Sequence, residues 1–182
     1  MKQLIADHQS FGTLVDILER QTERLDAGEP SDLEIVELVL AYLQRYGDQC
    51  HHPREGLLYA RLRALDPVAA ARASAIGSEH VWLHEATQEA LVQVRRACDG
   101  EEIDAGALAR KLAEYVSAFR AHVHHENETL FPLALEMLGA ADWSALEKDA
   151  SVMAGAERAL RIQERFLALR DYIHRLDRLD PQ

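Results

Sequence analysis

The chain has 182 residues, 48% hydrophobic but only 6% aromatic, and a formal net charge of −11. That length suits one core, since a domain of this size buries roughly 70% of the surface its unfolded chain exposes. The acidic balance, with no basic block to offset it, argues against nucleic acid or an anionic membrane as partner, and no run of about 18 apolar residues marks a membrane span.

Apolar residues recurring at steps of three and four predict five long helices. The first runs from about Lys2 to Ala27 with the stripe Leu4, His8, Phe11, Val15, Leu18, Thr22, Leu25. Its start, MKQLIADHQSF, lacks the apolar core of a secretory signal, so a cytoplasmic protein is expected. GEPS ends this helix, and Ser31 or Asp32 caps the second, which reaches about Leu65 with the stripe Leu33, Val36, Leu40, Leu43, Gly47, His51, Glu55, Leu58, Leu62, Leu65. Pro53 lies inside it and should kink or restart it, because proline cannot donate to the carbonyl one turn back and clashes with it. His52 then points away from the stripe, toward solvent.

Asp66 and Pro67 separate the third helix, whose stripe is Ile76, His80, His84, Thr87, Leu91, Val94, Cys98. The fourth, capped by Asp104, runs to about Leu138 with Leu108, Leu112, Tyr115, Phe119, His122, Glu126, Leu130, Leu133, Met137. The competing pair His124 and Glu128 shares a polar stripe with Ser117, Arg120 and Ala121, so register favours His122 and Glu126. A fifth helix, from about Asp142 to Asp177 and capped by Asp142 or Ser144, carries Leu146, Met153, Leu160, Phe166, Leu169 and Ile173. The two cysteines, Cys50 and Cys98, form no disulfide framework and are expected as reduced, partly buried thiols.

Short connections between long helices impose antiparallel neighbours, so the expected fold is all-α. Residues 1–139 form an up-down-up-down four-helix bundle, and residues 140–182 add a C-terminal helix packed on the bundle or at a subunit interface, where it would support a homodimer. Helix lengths place His8, His51, His80 and His122 at one depth, about 28 Å from a common end of the bundle at helical rise per residue. Every bundle helix thus carries ligand-type residues at core positions of one layer.

A lone carboxylate in an apolar core costs several kcal/mol. Glu55 and Glu126, ringed by His8, His51, His80, His84 and His122, therefore call for positive charge, which protonated histidines could supply but a divalent metal supplies better. Imidazole and carboxylate donors without thiolate fit iron, manganese or zinc better than calcium or magnesium. Seven donors exceed what one tetrahedral ion needs, so two ions are the simpler fit.

The elements ADHQSF, HHPREGLLY, SEHVWLH and HVHHENETLFP, in this order on separate helices between residues 4 and 133, resemble the hemerythrin-like, or HHE cation-binding, family. The resemblance implies a di-iron centre with His8, His51, His80, His84 and His122 as terminal ligands. Glu55 and Glu126 would bridge, with an oxo, hydroxo or dioxygen-derived ligand completing the site. In hemerythrins that carry oxygen, the last histidine is followed five residues later by Asp; here Glu126 follows His122 by four, as in the broader bacterial HHE group.

His52, His124, His125 and His174 are expected in solvent, and Phe11, Leu83, Phe119 and Phe131 as an apolar wall that keeps water from the metals. Tyr46, Tyr59 and Tyr115 lie within a turn or two of ligand positions. Three functions fit such a centre: binding or sensing dioxygen or a related diatomic molecule without turnover, reducing peroxide or nitric oxide, and storing or buffering iron.

Overall fold

The first predicted helix forms as α1 (Lys2–Asp26), with Leu4, His8, Phe11, Val15, Leu18 and Thr22 all buried. In this computed structural model the described residues are 1–154 and 156–179, with side chains described up to 150, at 162 and from 164 to 179. The second rod consists of α2 (Leu33–Tyr46), a wide π-type turn at Gly47–His51, and α3 (His52–Leu65). A short α4 (Pro67–Ala70) and a 3-10 turn at Ala71–Ala73 lead into α5 (Ile76–Cys98). The fourth rod is α6 (Ala105–His125), a second π-type turn at Glu126–Leu130, and α7 (Phe131–Met137). Then come α8 (Ala140–Ala154) and α9 (Ala156–Leu179), and the described residues contain no strand.

Boundary chemistry explains where these rods begin and end. Asp32 Oδ1 accepts from Ile35 N at 3.1 Å, and Asp104 Oδ1 accepts from Ala107 N at 2.8 Å, so aspartates satisfy the free N–H groups of α2 and α6. Gly28 turns the chain after α1 with φ 70°, a left-handed conformation that a side chain disfavours. Asp142 departs from its expected capping position: it lies inside α8 and reaches back to accept from Gly139 N at 2.9 Å.

The break expected at Pro53 takes the form of a widened turn just before it. His52 N–H bonds to Gly47 C=O, one residue further back than α-helical spacing allows. The same widening precedes Pro132, where Phe131 N–H bonds to Glu126 C=O, a break that was not expected in the fourth helix. In each case the ring would clash with the carbonyl four residues back, and loosening the preceding turn relieves that contact.

α1 packs against α2 and α6, and α5 packs against the same two, which closes the four-helix bundle. Its interior divides lengthwise into two apolar clusters. One holds Phe11, Leu43, Tyr46, Leu83, Leu112 and Phe119, the other Leu4, Leu58, Ile76, Leu130 and Leu133. On each rod the ligand-type residues fall between them: His8 between Leu4 and Phe11, His51 and Glu55 between Tyr46 and Leu58, His80 between Ile76 and Leu83, His122 and Glu126 between Phe119 and Leu130. A polar layer is thus clamped between two dry cores.

The C-terminal segment lies on the bundle of its own chain. Trp143 and Leu146 of α8 pack on the second cluster, while Phe166 and Ile173 of α9 are buried in the first. Arg61 Nε donates to Asp142 Oδ1 at 2.7 Å, and Arg20 pairs with Asp177 at 2.6 Å. The side chains of Met153 and Leu160 lie outside the described residues. Cys98, expected partly buried, is exposed at the end of α5, Leu65 is 45% exposed at the end of α3, and Cys50 is half-buried.

Candidate metal centre

Six of the seven expected donors converge in the polar layer. Glu55 Oε1 lies 3.0 Å from His51 Nε2 and 3.8 Å from His8 Nε2, while its Oε2 lies 3.5 Å from His80 Nε2. Glu126 repeats the arrangement in mirror sense. Its Oε2 lies 3.1 Å from His8 Nε2, and its Oε1 lies 3.3 Å from both His80 Nε2 and His122 Nε2. Each carboxylate therefore spans two positions: Glu55 turns one oxygen to His8 and His51 and the other to His80, and Glu126 turns one to His8 and the other to His80 and His122.

The imidazoles are held from behind. Asp7 Oδ2 lies 3.2 Å from His51 Nδ1, Glu79 Oε2 lies 2.9 Å from His122 Nδ1, and Asn127 Oδ1 lies 3.0 Å from His8 Nδ1. An oxygen acceptor at Nδ1 assigns the proton there and leaves Nε2 as a lone-pair donor aimed inward, the arrangement that metal-binding histidines use. None of these outer partners was identified from the sequence. Each adjoins a predicted ligand along the chain (Asp7 and His8, Glu79 and His80, Asn127 and Glu126) yet serves a histidine on another rod. The adjacency is visible in the sequence; the cross-helix pairing is not.

Two observations call for a cation in this layer. Both oxygens of Glu55, both oxygens of Glu126 and His80 Nε2 are buried without a well-formed hydrogen bond among the described residues. His8 Nε2 and His51 Nε2, both lone-pair donors by the assignment above, face each other at 3.1 Å. Unpaired buried carboxylates cost far more than a marginally stable domain tolerates without compensation, and opposed lone pairs need a proton or a metal between them.

Titration follows from the same contacts. Burial works against a charged His8, but Glu126, Glu55 and Asn127 outweigh it and push its pKa up to about 9. Burial likewise opposes charge on His51, and Asp7 and Glu55 outweigh it and raise its pKa. The Glu55 carboxyl, despite burial, is held well below its usual range by His51 and His8. Asp7 is also lowered, with His51, Gln3 and Tyr46 outweighing its burial.

The other predicted residues are placed as follows. His84 turns away from the layer: its side chain is 42% exposed, with Nδ1 3.2 Å from Asp48 Oδ2 and Nε2 2.9 Å from Gln88 Nε2. His52, expected in solvent, is half-buried and stacks on His80 with ring centroids 4.0 Å apart; burial and the neighbouring His80 lower its pKa to about 3. His125 is half-buried, with Nδ1 2.9 Å from Glu79 Oε1, and His174 is half-buried with Nε2 3.4 Å from Thr13 Oγ1. His124 and Glu128 are exposed.

All four residues of the expected apolar wall are buried. Phe131 stacks on the His8 ring at 5.0 Å, and Phe11 presents its edge to His51 at 5.0 Å. Phe11, Leu83, Tyr115 and Phe119 also line a cavity of about 20 Å³ that reaches His80, His122 and Glu126. A void of roughly 10–15 Å³ on this measure admits one water, so this one has room for a very small molecule. Of the three tyrosines near the ligands, Tyr46 donates its hydroxyl to Asp7 Oδ1 at 2.7 Å.

No helix among the described residues is long and apolar enough to cross a membrane. No curated protein and no solved structure matches the chain. The model of one protein family, the hemerythrin HHE cation-binding domain, matches residues 1–134, a span that contains all four rods up to α7 and every donor described above. With a buried layer of histidines and glutamates that calls for a cation, and a family match over most of its length, the chain belongs to the hemerythrin HHE cation-binding domain family.

Proposed function

We propose that the chain holds two iron ions and binds dioxygen or a related diatomic molecule beside them. The carrying observation is the split presentation of the two carboxylates, Glu55 with Oε1 toward His8 and His51 and Oε2 toward His80, Glu126 with Oε2 toward His8 and Oε1 toward His80 and His122, and no well-formed hydrogen bond on any of the four oxygens among the described residues. On this reading His8 and His51 would hold one ion and His80 and His122 the other, with Glu55 and Glu126 supplying carboxylate oxygens to both positions. Imidazole and carboxylate together suit iron, with manganese and zinc as competitors. A pair of ferrous ions supplies the electrons that dioxygen binding draws on.

The protein's own part is to bind, orient and exclude water. Asp7, Glu79 and Asn127 keep the Nε2 atoms aimed inward, the buried aromatic wall shields the layer, and the small cavity beside His80, His122 and Glu126 has room only for a very small ligand. The second reading, reduction of peroxide or nitric oxide, uses the same donors around the same ions, with the Tyr46 hydroxyl fixed on Asp7 behind His51.

Metal analysis of the anaerobically purified chain, followed by its visible spectrum on exposure to dioxygen, tests the proposal. About two irons per chain and a band that appears with dioxygen and disappears on its removal are expected. Irreversible oxidation with peroxide turnover well above that of free iron supports the second reading, and a folded protein that takes up no iron overturns both.

A further inference from the structure

Seven donors were expected in the metal layer and six converge, because His84 is held outside by Asp48 and Gln88. We propose that His52 takes the seventh place, as the third imidazole of the position formed by His80 and His122. The proposal rests on the two-metal reading above and goes beyond it by assigning a ligand that neither the helical register nor the family resemblance supplied.

The geometry carries the assignment in three ways. Donor nitrogens of His52, His80 and His122 all lie within 4.8 Å of one another, a second ligand cluster distinct from that of His8, His51, Glu55 and Glu126. The His52 ring stacks on His80, a tilt of 28° between them, so it is packed against a ligand and not splayed into solvent. The third observation is a cradle. A Cβ added at Gly47 would stand 2.9 Å from His52 Cε1 and 3.3 Å from its Nε2, closer than a side chain tolerates, so the ring occupies space that only glycine leaves free.

The local backbone explains how adjacent histidines serve two ions. In a regular helix His51 and His52 point about 100° apart, and only one can face a given partner. Here the π-type turn ends at His51 and α3 starts at His52. His51 then faces His8 on α1, while His52 leans across to His80 on α5, with Glu55 between them. Asp48 stands behind both candidates, 3.2 Å from His84 Nδ1 and 3.6 Å from His52 Nδ1, and fits the role of an outer carboxylate that orients the ligand. Three imidazoles with two carboxylate oxygens are a donor set for a first-row transition-metal ion.

Metal titration of the full chain tests this. Metal-free protein is titrated anaerobically with ferrous iron, and in parallel with cobaltous ion as a spectroscopic probe, for the wild type, His52→Ala, His52→Gln, His84→Ala and Gly47→Ala. Helix content by circular dichroism checks folding. The wild type should take up two ions. His52→Ala and His52→Gln should retain the first and bind the second at least tenfold more weakly, with a changed cobalt d–d spectrum. Gly47→Ala should do the same by displacing the ring, and His84→Ala should match the wild type. Two ions bound with unchanged affinity by folded His52→Ala and His52→Gln, or loss of the second ion in His84→Ala, overturns the His52 assignment alone. A wild type that takes up fewer than two ions overturns the two-metal reading and the assignment with it.

Discussion

Asp7 and His51 meet across the interface between the first two rods, Asp7 Oδ2 accepting from His51 Nδ1 at 3.2 Å while Tyr46 donates to the other carboxylate oxygen at 2.7 Å. The pairing selects the tautomer that presents Nε2 to the metal layer. Partners of this kind are worth roughly 10–100-fold in metal affinity. Asp7→Ala should weaken iron binding by about that factor with little change in helix content, as read by competition against a chelator of known affinity. Unchanged affinity would show that packing alone orients His51.

Proton competition sets the pH dependence. With its pKa pushed up to about 9, His8 is charged at neutral pH in the metal-free fold. Its folded value lies above the ordinary 6.5, so the stability it contributes is complete below that value and is lost as pH rises through about 9. A metal needs the neutral ring, so binding expels the proton, and affinity should climb as pH rises toward 9. Calorimetric titrations at neutral pH in buffers of different ionisation enthalpy should report net proton release, and a buffer-independent heat would reject this account.

Metal removal should lower the melting temperature. A ligand at a hundred times its Kd adds about 2.7 kcal/mol to stability. At ~2–4 °C per kcal/mol for a chain of this size, the loaded protein should melt about 5–10 °C above the chelator-treated one. Scanning calorimetry on both forms checks this, and coincident transitions would mean that the buried carboxylates are compensated by protons alone.

Docking of α9 can be separated from the metal centre. Ile173 is fully buried against the cluster that contains Tyr42 and Tyr46. Ile173→Ala should cost about 2–5 kcal/mol in urea unfolding by leaving a cavity. Because Ile173 touches no donor, iron stoichiometry should not change. A small loss, well under 1 kcal/mol, would indicate that α9 contributes little to the bundle.

Much of the fold was legible because helical periodicity is local. Stripes at three- and four-residue steps identified which faces turn inward, and equal distances from helix ends put His8, His51, His80 and His122 in one layer. The carboxylates were legible for an energetic reason: Glu55 and Glu126 at core positions make no sense without a cation. Register also misled: α5 runs unbroken through His84, yet that ring meets Asp48 and Gln88 at the edge of the bundle, and assigning His52 to solvent assumed unbroken α-helical spacing in the second rod. The second rod widens ahead of Pro53, and the hydrogen bonding shifts by one residue where His52 leaves the turn, while Glu55, Leu58 and Leu62 beyond it keep their inward positions.

Residue type and spacing along each helix thus set the inner faces, the polar layer and the kind of metal chemistry it suits. Folding decided which side chains meet across those faces: Asp7 with His51, Glu79 with His122, Asn127 with His8, His52 with His80 instead of solvent. Helix formation depends on neighbours within one or two turns, whereas these pairings depend on how rods distant in sequence pack. Packing is settled by the fit of the two apolar clusters above and below the layer. Those clusters hold the donors at ligand distance.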